Sequence, residues 1–172
     1  MSEADAGVEP MGARGGSKMQ RLRQALRGCW LLILAAGWIA APPPVHAGAD
    51  VIDAPAALDR ARAGELVIID VRTVDEWAQT GVPEGALEVS LFPQWGVPNR
   101  SFVDDILAAV GRDRTTPIAL ICATGKRSSY AQSLLEKSGF TRVSSISEGM
   151  VGSSYGPGWL ARGLPVGRCQ IC

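Results

Sequence analysis

The sequence predicts an α/β domain with a mainly parallel central sheet and helices on both faces. Three observations predict it. Leu66–Val71 and Ile118–Cys122 are short, continuous apolar runs, and strands buried on both faces of a parallel sheet read that way. Helix-capping signals stand between these runs. Strand and helix patterns alternate throughout.

Asp53 before Ala54-Pro55 reads as an N-cap with proline in the first turn, so Ala56–Ala63 is a short helix ended by Gly64. Leu66–Val71 is the first buried strand, with Asp70 in its closing residues. Thr73 with Glu76 three residues later forms a capping box, opening a helix through Trp77 to about Thr80. Gly81–Gly85 is a loop and Ala86–Leu91 a second strand; Phe92–Asn99, with Pro93, Gly96 and Pro98, is irregular. Ser101 is expected to cap a helix over Phe102–Val110, with Asp104 and Asp105 favourably placed in its first turn. After the Ile118–Cys122 strand, Ser128–Ser138 is a helix with Ala131, Leu134 and Leu135 on one face, stopped by Gly139. Val143–Ile146 is a further strand, and Trp159–Pro165 a last helical turn and exit.

The first 47 residues read as an address. Arg21, Arg23 and Arg27 precede an uncharged, mostly apolar run of thirteen residues, Cys29–Ala41. A spanning helix needs roughly 17–25 such residues, whereas a secretory core needs about 7–15. Pro42–Pro44 and the small residues around His46 then suit a cleavage site, with the mature chain starting near Gly48. The expectation is a signal peptide over 1–47 and one domain over 48–172, periplasmic or secreted. An uncleaved membrane anchor is the alternative, and the only membrane contact expected. Glu3, Asp5 and Glu9 are foreign to a basic leader, and Met19 would begin a more ordinary one.

Composition excludes several function classes. The chain of 172 residues has 17 basic and 17 acidic side chains, which argues against a non-specific nucleic-acid binder. Its single histidine, His46, lies in the leader. A Ser-His-Asp triad, a Cys-His dyad and a His-ligated metal are therefore not expected, and neither metal nor cofactor is. Chemistry is left to cysteine, carboxylates, Arg/Lys and backbone amides.

Cys122 is the candidate nucleophile. It ends a buried strand, where ligands bind in such sheets, and Ala123-Thr124-Gly125-Lys126-Arg127 leads into a helix. A tight strand-to-helix loop lets N–H groups converge on one point, and the helix dipole with Lys126 and Arg127 adds positive charge. Such surroundings lower a thiol's pKa from about 8.5. The plainer alternative is a structural cysteine at a strand end.

At this point the residues resemble a known family. CATGKR, from Cys122 to Arg127, is similar to the active-site loop of rhodanese-type sulfurtransferases, which reads Cys-x-x-Gly-x-Arg or close variants. The Asp70–Trp77 stretch resembles the family's Asp-x-Arg block with its Glu-Trp. GVPEGA resembles the usual Gly-His-Ile-Pro-Gly-Ala, with Val82 in place of His and Glu84 inserted. WLARGLPV, from Trp159 to Val166, resembles the closing block. With the leader, the whole looks like a single-domain periplasmic rhodanese of the phage-shock kind.

The resemblance implies transfer of sulfane sulfur from thiosulfate, or a similar small anionic donor, to a thiol or protein-cysteine acceptor through a Cys122 persulfide. It implies that Ala123, Thr124 and Gly125 supply loop amides and that Lys126 and Arg127 hold the sulfonate end. Asp70 and Arg72 would belong to the pocket wall, ordering the loop through an ion pair, with a purely structural salt bridge as the alternative. Trp77 reads as core. Thiosulfate is preferred over 3-mercaptopyruvate because the loop is cationic. A non-catalytic binding or regulatory module is the alternative function. A cysteine phosphatase or arsenate reductase is less favoured, because Arg127 comes one residue earlier than a phosphate loop requires.

Two features depart from the family pattern. The segment GMVGSSYGPGW is longer and richer in Gly and Ser than the usual link, and either borders the pocket or is a surface excursion. Cys169 and Cys172 form a lone C-x-x-C, which fits a redox pair relaying sulfur or electrons from the Cys122 persulfide, half of a metal site, or a plain disulfide.

Overall fold

A computed structural model describes residues 50–94 and 96–172. The expected leader, with Cys29–Ala41 and His46, lies outside the described residues. The elements in chain order are β1 (Asp50–Ile52), α1 (Ala54–Arg62), β2 (Val67–Asp70), α2 (Val74–Thr80), β3 (Val82–Pro83), β4 (Leu87–Glu88), α3 (Phe102–Ala109), β5 (Ile118–Ile121), α4 (Lys126–Lys137), β6 (Val143–Ile146) and β7 (Val166–Gly167). Five strands form one parallel sheet in the order β1-β6-β5-β2-β4. β3 and β7 pair antiparallel as a separate ribbon.

Strand alternation sorts the core into two layers. Ile69, Val71, Ile118, Leu120 and Val143 pack with Phe102 and Ile106 of α3 and with Ala131 and Leu135 of α4. Ile68, Ala119, Ile121 and Ile146 pack with Ala54, Ala57 and Leu58 of α1 and with Trp159. Each fully buried Ile or Leu contributes about 1.5–3 kcal/mol by leaving water. The α/β reading with helices on both faces therefore holds. Trp77 is core, at 1% exposure.

The capping signals are realised at both early helices. Asp53 accepts from Ala56 N at 2.8 Å, and the Thr73–Glu76 box is reciprocal. Four boundaries differ. The second strand shrinks to Leu87–Glu88, because β4 is the sheet edge and pairs only with β2. Ladder-like bonds from Val89 N and Leu91 N continue beyond it. Ser101 makes no side-chain cap; Asn99 organises the entry instead, accepting from Ser101 N and donating to Asp105 and the Ser90 carbonyl. α4 starts at Lys126, two residues early, because Gly125 in the left-handed region makes the turn. α1 likewise starts at Ala54, two residues before the expected Ala56, directly after its Asp53 cap. Trp159–Gly163 is the expected single turn, with Arg162 N donating to Gly158 O, before the exit at Leu164-Pro165. Among the described residues, no helix is long and apolar enough to cross a membrane.

Candidate active site

Cys122 follows the last residue of β5 and leads into α4 through Ala123-Thr124-Gly125. Two crossings hold this loop down. Met150 N donates to Cys122 O at 2.8 Å, and Val151 N to Ala123 O at 2.9 Å. The backbones approach so closely that only glycine fits at 149, where φ is +68° and a Cβ would stand 2.4 Å from Ala123 O. Gly125 is tighter still: φ is +86°, and a Cβ would meet Ser147 O at 2.1 Å.

The Cys122 side chain is 1% exposed. Its Sγ accepts from Ser128 N at 3.4 Å, in the first turn of α4, and lies 3.6 Å from Ser128 Oγ. Ser128 Oγ donates to Gly125 O at 2.9 Å and accepts from Ser145 Oγ of β6 at 2.9 Å. Ser145 Oγ also lies 3.4 Å from Ser129 Oγ, and Ser129 reaches the surface. The sulfur is thus embedded in amide and hydroxyl dipoles.

Charged groups below the loop are paired. Arg127 Nη1 and Nη2 donate to the Glu76 carboxylate at 2.7 and 2.6 Å. Burial pushes the Glu76 carboxyl up, but Arg127 and the Thr73 N–H and hydroxyl more than offset it, holding it below the ordinary carboxylate range. The same fork with Glu76 raises the Arg127 pKa. Asp70 and Arg72, 0% and 2% exposed, form a second fork, closest at 2.7 Å. Arg72 spends its other donors on Thr80 Oγ1, the Glu76 carbonyl and the Gly81 carbonyl. Burial pushes the Asp70 carboxyl up, against the pull of Arg72.

Ala123, Thr124 and Gly125 form the loop that joins Cys122 to α4, and Lys126 and Arg127 open that helix; two readings need amendment. Asp70 and Arg72 make the expected ion pair in its structural form: both are buried, and Arg72 ties down α2 and its exit instead of lining the cavity beside Lys126. Arg127 has its fork on Glu76 rather than held open for a sulfonate. Lys126 is exposed and borders a cavity of about 580 Å³ together with Thr124, Gly125, Ser129 and Ser147. Gly152, Ser153, Ser154 and Tyr155 form its other wall, so the Gly/Ser-rich segment borders the cysteine loop. Among the described residues no cluster of His, Cys, Asp or Glu could hold a metal ion. Cys169 and Cys172 are joined as a disulfide whose sulfurs lie against Glu88 and Val74.

Four contributors were not foreseen. Glu76 was legible only as a capping residue, not as the partner of Arg127. Ser128 was read as a helix start. Ser145 has no distinguishing signal, since β6 reads Val-Ser-Ser-Ile and only its alternation places Ser145 on the buried side. Glu148, 2% exposed, accepts from Ala54 N, Gly158 N and Arg162 Nε, and so fixes the end of β6 and the Gly/Ser-rich segment. Burial opposes its charge, yet the Ala54 N–H, Arg162 and the Gly158 N–H hold its carboxyl below the ordinary range.

A family model described as a rhodanese-like domain matches residues 53–154. An uncharacterized protein of Rickettsia rickettsii is 31% identical over 99 residues, covering 57% of this chain and 80% of its own length. Among solved structures, that of Rv0390 from M. tuberculosis is 26% identical with a TM-score of 0.55, covering 71% of this chain and 98% of the other. Two further likenesses are of fold alone. A thiosulfate sulfurtransferase of Pseudomonas aeruginosa is 22% identical with a TM-score of 0.55, covering 71% of this chain and 21% of the other. A polysulfide-sulfur transferase homodimer of Wolinella succinogenes is 24% identical with a TM-score of 0.53, covering 72% and 81%.

Proposed function

The chain belongs to the rhodanese-like domain family, and on that footing we propose that it is a sulfurtransferase working through a persulfide on Cys122, with thiosulfate or a similar small anion as donor. The observation that carries this reading is the Ser128 N–H directed at Cys122 Sγ from the first turn of α4, in a loop closed by Gly125. A sulfur held there meets a fixed N–H donor aimed at the atom on which negative charge develops during transfer.

In the proposed reaction the Cys122 thiolate attacks the outer sulfur of the donor. A new S–S bond forms, the donor's own S–S bond breaks, and sulfite departs with the electron pair. An acceptor thiolate, or cyanide in a test tube, then attacks the outer sulfur of the persulfide and returns Cys122 as thiolate. Neither step needs a histidine or a metal. Lys126, exposed beside the cavity, draws the anionic donor in. The test is intact mass after mixing with thiosulfate. The expected result is a gain of one sulfur atom that is absent in Cys122→Ala; no gain with reduced Cys122 defeats the proposal.

The burial of Cys122 favours a second reading, a module that binds without turning over. Thiocyanate formation from thiosulfate and cyanide, lost in Cys122→Ala, separates the two. We also propose export of the domain, as in the single-domain periplasmic rhodaneses of the phage-shock kind. The Cys169–Cys172 disulfide supports an oxidising compartment. The mass of the protein recovered from exporting cells, beginning near Gly48, is the check.

A further inference from the structure

Beyond Cys122, the segment after β7 folds back against the edge strand β4 and the first turn of α2. There the Cys169–Cys172 disulfide meets two oxygen atoms. Glu88 Oε2 lies 3.4 Å from Cys169 Sγ, and the Val74 carbonyl oxygen lies 3.5 Å from Cys172 Sγ. Disulfide sulfurs carry no proton, so both contacts are idle in the oxidised state. On reduction each becomes an S–H···O hydrogen bond without any movement of the acceptor. The Glu88 carboxylate also accepts from Gln170 N at 2.8 Å and Ile171 N at 3.2 Å, fixing the turn that carries both cysteines.

The bond does little as a staple. It closes a loop of sequence separation 3, and a loop so short removes the least freedom from the unfolded chain. It is, however, accessible. Both cysteines line a cleft of about 480 Å³ with Trp77, Thr80, Gly81 and Arg168, and Cys172 is exposed. Arg168 supplies a positive charge to the cleft lining, opposite in sign to the Glu88 carboxylate at Cys169.

We propose that Cys169–Cys172 is a second reactive centre, a dithiol–disulfide exchange site whose substrate is a small anionic thiol. The incoming thiolate attacks the exposed Cys172 Sγ and forms a mixed disulfide. The Cys169–Cys172 bond breaks, and its electron pair passes to Cys169 Sγ, which takes a proton from water and donates it to Glu88. A second thiolate attacks the substrate sulfur of the mixed disulfide, releasing an oxidised substrate dimer. Cys172 takes up a proton and donates it to the Val74 carbonyl. Two thiols lose two electrons and the protein pair gains them; the reverse sequence re-forms the pair. Among the described residues, the contacts of this centre do not include Cys122, whose Sγ lies against Ser128, and the exchange as proposed runs without it.

The experiment uses the full chain carrying Cys122→Ala, in which any exchange comes from the pair and the fate of the sulfurtransferase reading has no bearing. The protein is equilibrated folded in graded mixtures of reduced and oxidised glutathione, quenched, alkylated and weighed. The expected result is passage from disulfide to dithiol across the series, at less reducing mixtures than a free peptide of residues 166–172 requires. Glu88→Gln keeps an acceptor for the turn in both states but weakens the bond to the Cys169 thiol. It should demand a mixture about three- to tenfold more reducing, with unchanged circular dichroism. A pair that stays oxidised throughout, or one that titrates as the free peptide does, overturns the proposal. So does a midpoint indifferent to Glu88→Gln in a folded variant; a misfolded variant leaves the peptide comparison to decide.

Discussion

Gly125→Ala tests whether the cysteine loop depends on its close approach to β6. An alanine Cβ at 125 would stand 2.1 Å from Ser147 O, 2.8 Å from its carbonyl carbon and 3.0 Å from its Cα. Every obstacle is backbone, and Ser153 Oγ pins the same carbonyl at 2.8 Å, so no side chain can swing away. The left-handed φ of +86° costs an L-residue about 1–2 kcal/mol. Forcing the two backbones apart adds about 1–3 kcal/mol. Gly64 provides the control: its φ is +72°, and a Cβ there would have nothing within 4 Å, so Gly64→Ala bears the conformational cost alone. The expected loss is therefore about 2–5 kcal/mol for Gly125→Ala against about 1–2 for Gly64→Ala, read from urea midpoints. Because the displaced loop carries Cys122, turnover of thiosulfate and cyanide should also fall about a hundredfold in Gly125→Ala, and not in Gly64→Ala. Equal destabilisation by the two substitutions, with turnover intact, would refute the reasoning.

Further outcomes follow from the pairs and dipoles around the site. Arg72→Met leaves the Asp70 carboxylate buried without its cationic partner and should cost about 3–5 kcal/mol in denaturation, much of it recovered on adding Asp70→Asn. Ser145→Ala removes the donor to Ser128 Oγ and should cost about 1 kcal/mol, read from urea midpoints. The Glu76 carboxyl sits below its ordinary value of 4.5 in the folded protein, so its contribution is present above that pH and lost as pH falls through the native value. Urea midpoints of the parent should therefore drop more steeply than those of Glu76→Gln on acidification below about pH 4.5. Lys126→Met should raise KM for thiosulfate several-fold and blunt its salt dependence while kcat stays constant, because the lysine attracts the donor without touching the sulfur.

How much of this was legible depended on the distance over which each signal acts. β2 and β5 could be read because strands covered on both faces carry near-continuous apolar runs, Val67–Ile69 and Ile118–Ile121, while β6 is marked only by its β-branched ends, Val143 and Ile146. Asp53 and the Thr73–Glu76 box could be read because capping is local. α4 begins two residues before Ser128 because glycine at 125 makes the turn by conformation alone, with no capping side chain to mark it. β4 was overextended because its run of apolar and polar residues does not reveal that it has a partner on one side only. The Arg127–Glu76 fork joins residues 51 apart, and no local pattern announces it. The burial of Cys122 was available in principle, since alternation along β5 puts it on the same face as Ile118 and Leu120. The positive charges beside it drew attention to reactivity instead.

That burial bears on the chemistry. A thiol at 1% exposure, in a loop one residue shorter than a phosphate loop and with the Arg127 fork taken by Glu76, has little room for a tetrahedral phosphoryl group. A sulfur delivered end-on makes a smaller demand: one atom must reach Sγ, and the rest of the donor can stay in the wider space outside the loop. Transfer also changes what the next partner meets. A persulfide projects its outer sulfur about 2 Å beyond Sγ, the length of an S–S bond. The atom to be handed on therefore lies nearer the acceptor than the cysteine that holds it. On the sulfur-transfer reading, burial keeps the resting thiol from oxidants and bulky electrophiles while leaving the loaded form open to discharge.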